Sequence, residues 1–370
     1  MMRGKTSDSS IRPTTATREA VPAYTGMTFL KTPFRRSQNT VPQSENNLLP
    51  NETYPTKTMK PLYILSGLIF TAAAVWFCCG IGFGGWDWPQ AMDDTVRQIR
   101  LPRVYTALLV GAGLSASGAA LQALFENPLA DPSLIGTSGG AALGVILALV
   151  AGGGAVGVPA AAFLGALGVC LLILAAHRLL GGGTLGLLVL GFVLSAFAGA
   201  AVSMILFLSD DMTLRSATNW LSGSLSEAGF APPLLALCSM LPGFFLLLHA
   251  GRRLDVLMTG EDTAVSMGVS VARLRVQTVV GAALMTGGAV SLAGIIGFLG
   301  MMVPNVLAQA VGGGRSRLIA LSAWAGAVFL MLVDGISRWL TYPVDLPVGI
   351  VIALLGGPFF MYLFVRAARA

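Results

Sequence analysis

From residue 61 onward the chain alternates between apolar runs of roughly twenty residues and short polar links, and the runs carry almost no charge. A run of that length crosses about 30 Å of hydrocarbon as a helix. Inside lipid every backbone N–H and C=O must be paired within the protein, which leaves helices or closed barrels as spanning elements. A barrel would show alternating segments of about ten residues instead. Only 11% of residues are charged and 55% are hydrophobic, against a usual charged fraction of about 25%. The pattern predicts an all-α polytopic membrane protein with about ten transmembrane helices. The expected spans are Pro61–Phe83, Val104–Phe125, Leu134–Gly152, Pro159–Leu180, Leu185–Leu208, Pro232–Ala250, Val276–Leu292, Gly294–Val311, Leu318–Leu340 and Val348–Val365.

An even number of spans places both termini on one side. Arg178, Arg252, Arg253, Arg273, Arg275, Arg315, Arg317, Arg366 and Arg369 all fall there, which makes it the cytoplasm. The net charge of +6 therefore reads as topology information, and no nucleic acid is expected. Residues 1–60 are rich in Ser, Thr, Pro, Asn, Lys and Arg without apolar periodicity, so the expectation is a disordered cytoplasmic tail ahead of a 61–370 membrane domain. No apolar core of a secretory signal follows its early positive charges. A regulatory arm and a start codon placed too far upstream both fit it. Five arginines depart from the positive-inside pattern: Arg97, Arg100, Arg103, Arg215 and Arg338 fall near the outer face. The polar stretch Asp93–Arg100 reads as a small external surface helix.

The polar link Gly260–Val269 carries two adjacent acids, a Thr and a Ser between glycines, with arginines before and after it. Charge and unpaired backbone are costly in hydrocarbon, so it lies outside the lipid, on the arginine-rich side. A plain connector would satisfy the same constraint. Val110–Ala120 in span two resembles Val280–Val290 in span seven, with five crossings between them. Copies of opposite direction make an inverted repeat, an architecture of transporters, although two Gly/Ala-rich spans can also match by chance.

Catalytic patterns are missing. There is no Gly-x-x-x-x-Gly-Lys-Ser/Thr phosphate loop, no nucleophile elbow and no His-Glu-x-x-His. Cys78, Cys79, Cys170 and Cys238 lie in apolar runs without metal-ligand spacing, and His177 and His249 sit at run ends as interfacial anchors. No metal and no cofactor are expected. Asp334 and Arg338 share a helix face in span nine and can pair, but an ion-coupled carrier ordinarily places more titratable groups near the midplane. An ion-gradient-driven secondary transporter with an inverted repeat is the alternative reading, and a membrane-embedded enzyme is a third.

An ordered set of motifs carries a resemblance. Arg100-Leu101-Pro102-Arg103, Leu121 to Pro132 with Leu134-Ile135-Gly136, Trp220 to Leu225, Gly260 to Ala264 with Met267-Gly268-Val269, Gly297 to Gly300 with Val303-Pro304, and Leu346 to Gly349 with Gly356 to Phe360 follow one another as in the FecCD-type permeases. These are the transmembrane subunits of type II ABC importers for ferric siderophores, haem and cobalamin. The resemblance covers about residues 61–370. It implies a non-enzymatic permease in the inner membrane of a bacterial cell, working as a homodimer with a separate cytoplasmic ABC ATPase and a periplasmic or lipid-anchored substrate-binding protein. The expected cargo is a ferric siderophore first, haem second and cobalamin third. Gly260, Glu261, Asp262, Thr263, Ala264, Ser266, Met267 and Gly268 would form the ATPase-coupling loop. Arg100, Arg103 and Arg338 would meet glutamates of the binding protein, although Arg100 and Arg103 also suit plain interfacial snorkelling. Spans five and ten would line the path, with Ser203, Met204 and Phe207 as candidates from position. The chain departs from the family at Asn305 and Ala308, where His and Arg are usual, and at Gly312-Gly313-Gly314-Arg315.

Overall fold

The structure is a computed structural model that describes residues 61–82, 86–88, 95–154, 156–228 and 233–369. The expected tail at 1–60 and the residues Asp93 and Asp94 lie outside this set. Twelve α-helices follow one another: α1 (Pro61–Gly80), α2 (Leu101–Leu124), α3 (Thr137–Val150), α4 (Gly157–Leu180), α5 (Gly183–Phe207), α6 (Asp211–Leu221), α7 (Pro233–Leu257), α8 (Glu261–Ser266), α9 (Val271–Ala293), α10 (Leu299–Ala310), α11 (Arg315–Thr341) and α12 (Val348–Arg369). Apart from one isolated bridge between Ile81 and Trp86, the described residues form no β-structure. Helices α6 and α8 are short polar links, so ten apolar helices remain. Six of them are long and apolar enough to cross a membrane, and α1, α3, α10 and α12 have shorter apolar stretches.

The centre is made by α2 and α9, each with 78% of its apolar window buried, whereas α4 and α5 stand at 28% and 22%. These are the two copies of the repeat. They pack on one another, α11 packs on α2, and α4 and α7 pack on α9. Lipid gives helices no hydrophobic drive to associate, so close backbone approach has to supply the attraction. The buried residues of α2 between Val110 and Ala120 are mostly Gly, Ala and Ser. A Cβ on Gly118 would overlap the carbonyl oxygen of Gly300 on α10, and one on Gly111 would overlap that of Gly326 on α11.

Two expected spans differ in form. Span eight is a helix only from Leu299 onward. Twelve helical residues reach about 18 Å, and Gly294–Phe298 crosses the rest as irregular backbone. Phe298 takes a left-handed conformation (φ 65°) at the break, unusual for a bulky residue. Span three likewise begins late, at Thr137, after a 3₁₀ turn over Pro132–Ile135. Irregular backbone is tolerated at membrane depth only inside protein. Here Gly191 of α5 lies against Leu134 O, and Gly300 lies against the Pro132 ring. The break after α2 is thus matched by the break after α9, in keeping with the repeat.

The expected surface helix at 93–100 needs correction. Residues Val96–Arg100 form a π turn that runs directly into α2, with Leu101 N–H donating to Val96 O. Pro102 has no N–H to donate, and the wider turn accommodates it. At the same end of the molecule, Asp210 caps α6. Its carboxylate accepts from the Thr213 hydroxyl (2.6 Å) and from the Met212 and Thr213 N–H groups. The bonds to Thr213 hold it below the usual carboxylate range.

Candidate functional site

The polar link folds as the single helical turn pair α8. Gly260 enters it at φ 108° and Gly268 leaves it at φ 83°, both values that other residues avoid. Val269 N–H donates to Ala264 O and Gly268 N–H to Val265 O, the double bond of a Schellman ending. Ala264 is fully buried and anchors the inner face. Glu261, Asp262, Thr263, Ser266, Met267 and Gly268 are exposed. Val265 at 58% and Met267 at 65% exposure make an apolar tip on an otherwise polar link.

Six residues cannot hold a helix by themselves. The position of α8 is set by Arg275 of α9, a residue that the sequence presents as a topology marker. Its guanidinium is 8% exposed, with Nη2 2.5 Å from Glu261 Oε2 and Nε 3.0 Å from Thr184 Oγ1 at the start of α5. One arginine therefore ties the loop to two spans. Nearby, Asp255 of α7 accepts from Arg315 N–H (2.8 Å) and caps α11 from outside its own chain segment.

The outer arginines gather at the opposite end. Arg103 is 7% exposed. Its Nε and Nη2 grip Asp334 at 2.8–3.1 Å, and its Nη1 and Nη2 grip Asp345 at 2.6 and 2.8 Å. Arg338 Nε lies 3.2 Å from Asp334 Oδ2. Arg100, 8% exposed, donates to Cys79 O (3.1 Å) and stands 3.8 Å from Asp87. All three arginines border a cavity of about 210 Å³, with Tyr342 and Asp345 in its wall. The structure brings the three together around this cavity. It also narrows their use, because both edges of the Arg103 fork are already filled by carboxylates of the same chain. Asp345, in the link before α12, is a partner that the sequence reading missed; it lies 242 residues away and no local spacing marks it.

Ser203, Met204 and Phe207 lie on α5, and all are exposed, Met204 at 62% and Phe207 at 86%. The Ser203 hydroxyl donates to Gly199 O within its helix. Asn305, where the family usually has His, donates from Nδ2 to Pro128 O (2.6 Å) and to Met301 O (2.9 Å). Gln122 Nε2 reaches Met301 O at 3.1 Å. The two amides bind the end of α2 and its following break to α10. Among the described residues no group of three His, Cys, Asp or Glu is placed to hold a metal ion.

An all-helical membrane domain with a central inverted pair and a short capped helix between its sixth and seventh spans is the fold of a type II ABC permease. A solved chain assigned to the metal-chelate type of ABC transporter, in an inward-facing conformation, superposes with a TM-score of 0.75 at 30% identity, covering 83% of this chain and 100% of that one. Residues 62–366 match the FecCD transport family, and the chain belongs to it. It is 38% identical over 289 residues to the hemin transport system permease of Yersinia pestis, covering 75% of this chain and 86% of that protein. It is 35% identical over 311 residues to the vitamin B12 import permease of Vibrio cholerae, covering 82% and 93%. A probable iron chelatin transport permease of Helicobacter pylori is 38% identical over 277 residues, covering 75% and 84%. The protein is thus the transmembrane permease subunit of an ABC importer.

Proposed function

We propose that this permease imports an iron chelate, a ferric siderophore before haem or cobalamin, and that it works as a homodimer coupled to a separate ATPase through α8. The relatives named for hemin, iron chelatin and vitamin B12 support this substrate class. The exposed faces of α5 and α12 support the pairing: Phe192, Phe197 and Phe207 on one, and Leu354, Met361 and Tyr362 on the other, are uncovered in the single chain. A second copy would cover part of that surface and leave a wide apolar path for a bulky chelate, with Ser203, Met204 and Phe207 along it.

The observation that carries the coupling role is the form of α8. It is a turn fixed by Arg275 that holds Val265 and Met267 out to solvent, with Asp262 beside them. A rigid stub of this kind suits a groove on a cytoplasmic ATPase and can transmit a push, while its positive-φ glycines allow tilt. In this reading Glu261 positions the turn, and Asp262, Val265, Ser266 and Met267 make the contact. Both termini lie in the cytoplasm in this reading, which the arginines of that end support. On the far side the cavity bordered by Arg100 and Arg338 receives acidic side chains of a substrate-binding protein, and Arg103 holds its wall.

The test is reconstitution with the partner ATPase in liposomes. Wild type should co-purify with the ATPase and take up a ferric chelate when ATP is supplied, and a Glu261→Ala/Asp262→Ala variant should lose both. Uptake that follows a proton or sodium gradient and ignores ATP would overturn the assignment in favour of a secondary carrier.

A further inference from the structure

A second cavity, of about 580 Å³, opens between α4, α7 and α9 at the end that carries α8. Its rim holds His177 and Arg178 from the last turn of α4, His249 from α7, and Arg273 from the first turns of α9. Buried Arg275 forms part of its wall, and no acidic residue lines it. Arg178 and Arg273 are exposed and form no ion pair among the described residues. The His177 ring stands on the same rim, with its Nδ1 turned in toward Gly186 of α5. Toward the membrane the lining turns apolar, with Leu174, Leu246 and Val276.

We propose that this cavity seats the headgroup of an anionic phospholipid. A concave site with unpaired guanidinium groups above an aliphatic floor matches a molecule that carries a phosphodiester at one end and acyl chains at the other. Arginine pairs two N–H groups with phosphate oxygens, and basic pockets between spans are where acidic headgroups bind. Scattered interfacial arginines serve topology without any cavity; here they converge on one. Inorganic phosphate shares the headgroup chemistry but leaves the aliphatic floor empty. Because Arg275 belongs both to this wall and to the anchor of α8, a bound lipid would touch the group that positions the coupling helix.

The experiment uses the full purified chain, stripped of lipid in neutral detergent, titrated with dihexanoyl-phosphatidylglycerol and followed by thermal shift. Dihexanoyl-phosphatidylcholine and inorganic phosphate serve as comparison probes. The phosphatidylglycerol probe should stabilise the wild type, and neither comparison probe should do so at the same concentration. Each arginine near the bilayer surface contributes about fivefold in affinity, so Arg178→Gln/Arg273→Gln should bind on the order of 30-fold more weakly. Arg252→Gln, outside the cavity, should stay within about twofold of wild type. Val276→Trp, which fills the apolar part and keeps every charge, should also lose binding; this variant decides the matter if the double arginine variant does not fold. Equal stabilisation by phosphatidylcholine or by inorganic phosphate would overturn the proposal, as would full binding to Val276→Trp. If the arginine variant binds the probe normally but no longer holds the ATPase, the arginines serve a protein partner and the lipid seat is wrong.

Discussion

The two ends of this permease use charge in opposite ways. At one end, Arg103, Arg338, Asp334 and Asp345 close on one another across α2, α11 and the link before α12, with Asp334 almost fully buried. At the other end, α8 leaves Asp262 in solvent and Glu261 half exposed, and buried Ala264 together with one ion pair to Arg275 holds the turn. The first arrangement fixes helices to each other. The second fixes one small element while leaving its contact surface free. A buried network tolerates no missing partner, whereas an exposed stub can lose a side chain and stay folded. The difference separates an interlocked clamp from a lightly held, exposed turn within a single chain.

The largest effect should follow Arg103→Ala. It removes the main partner of buried Asp334 and leaves Arg338 alone beside it; breaking a buried pair costs up to about 3–5 kcal/mol, and thermal unfolding of the purified chain should show it. Arg103→Lys should recover only part of this, because an ammonium cannot serve both forked contacts. A neutral outcome would erase the contrast between the ends. Next comes Gly118→Val, where a side chain must separate α2 from α10; overpacking of this kind costs about 1–3 kcal/mol. Arg275→Gln should lower stability by no more than about 1 kcal/mol, since Glu261 is half exposed and screened. Its effect on ATPase stimulation should be far larger than its effect on unfolding. Val265→Ser/Met267→Ser should stay within about 0.5 kcal/mol of wild type in stability and still lose the ATPase on co-purification. The smallest effect concerns pH. Asp210 has a folded pKa below its ordinary value, so its capping contribution is complete above the ordinary value and fades only as pH falls through the lowered one. Protection of the α6 amides, taken relative to their intrinsic exchange rate at each pH, should be unchanged from neutral pH down to about 5 and should fall below the usual carboxylate range of about 4.

Much of the architecture was legible because hydrophobic length is a local property. The apolar spans, the α8 link and the repeat between α2 and α9 can all be read from runs of twenty residues or fewer. The half-helical form of span eight could not be read in this way, since Gly294-Ile295-Ile296-Gly297-Phe298 is as apolar as any helix. Its two glycines were the available signal, and the segment packs against Trp220, Gly223 and Gly349, far away in sequence. The same limit hid Asp345 and Arg275. Each acts through a partner on another element, and a topology rule explains an arginine near a membrane surface before any partner is sought. Asn305 stands in the family's His position and keeps α10 joined to Pro128 by hydrogen bonding alone, without a titratable group.

The bare-backbone crossings on α2 have a mechanical consequence. Gly111 meets α11 and Gly118 meets α10, seven residues and about 10 Å apart along one axis. Neither crossing has a side chain that could act as a spacer or be replaced by a longer one. Substitution can reshape the outer faces of α5 and α12 without shifting these two bearings. Any rearrangement that keeps both of them leaves α10 and α11 at their present spacing from α2, and the peripheral helices are the ones free to vary around this centre.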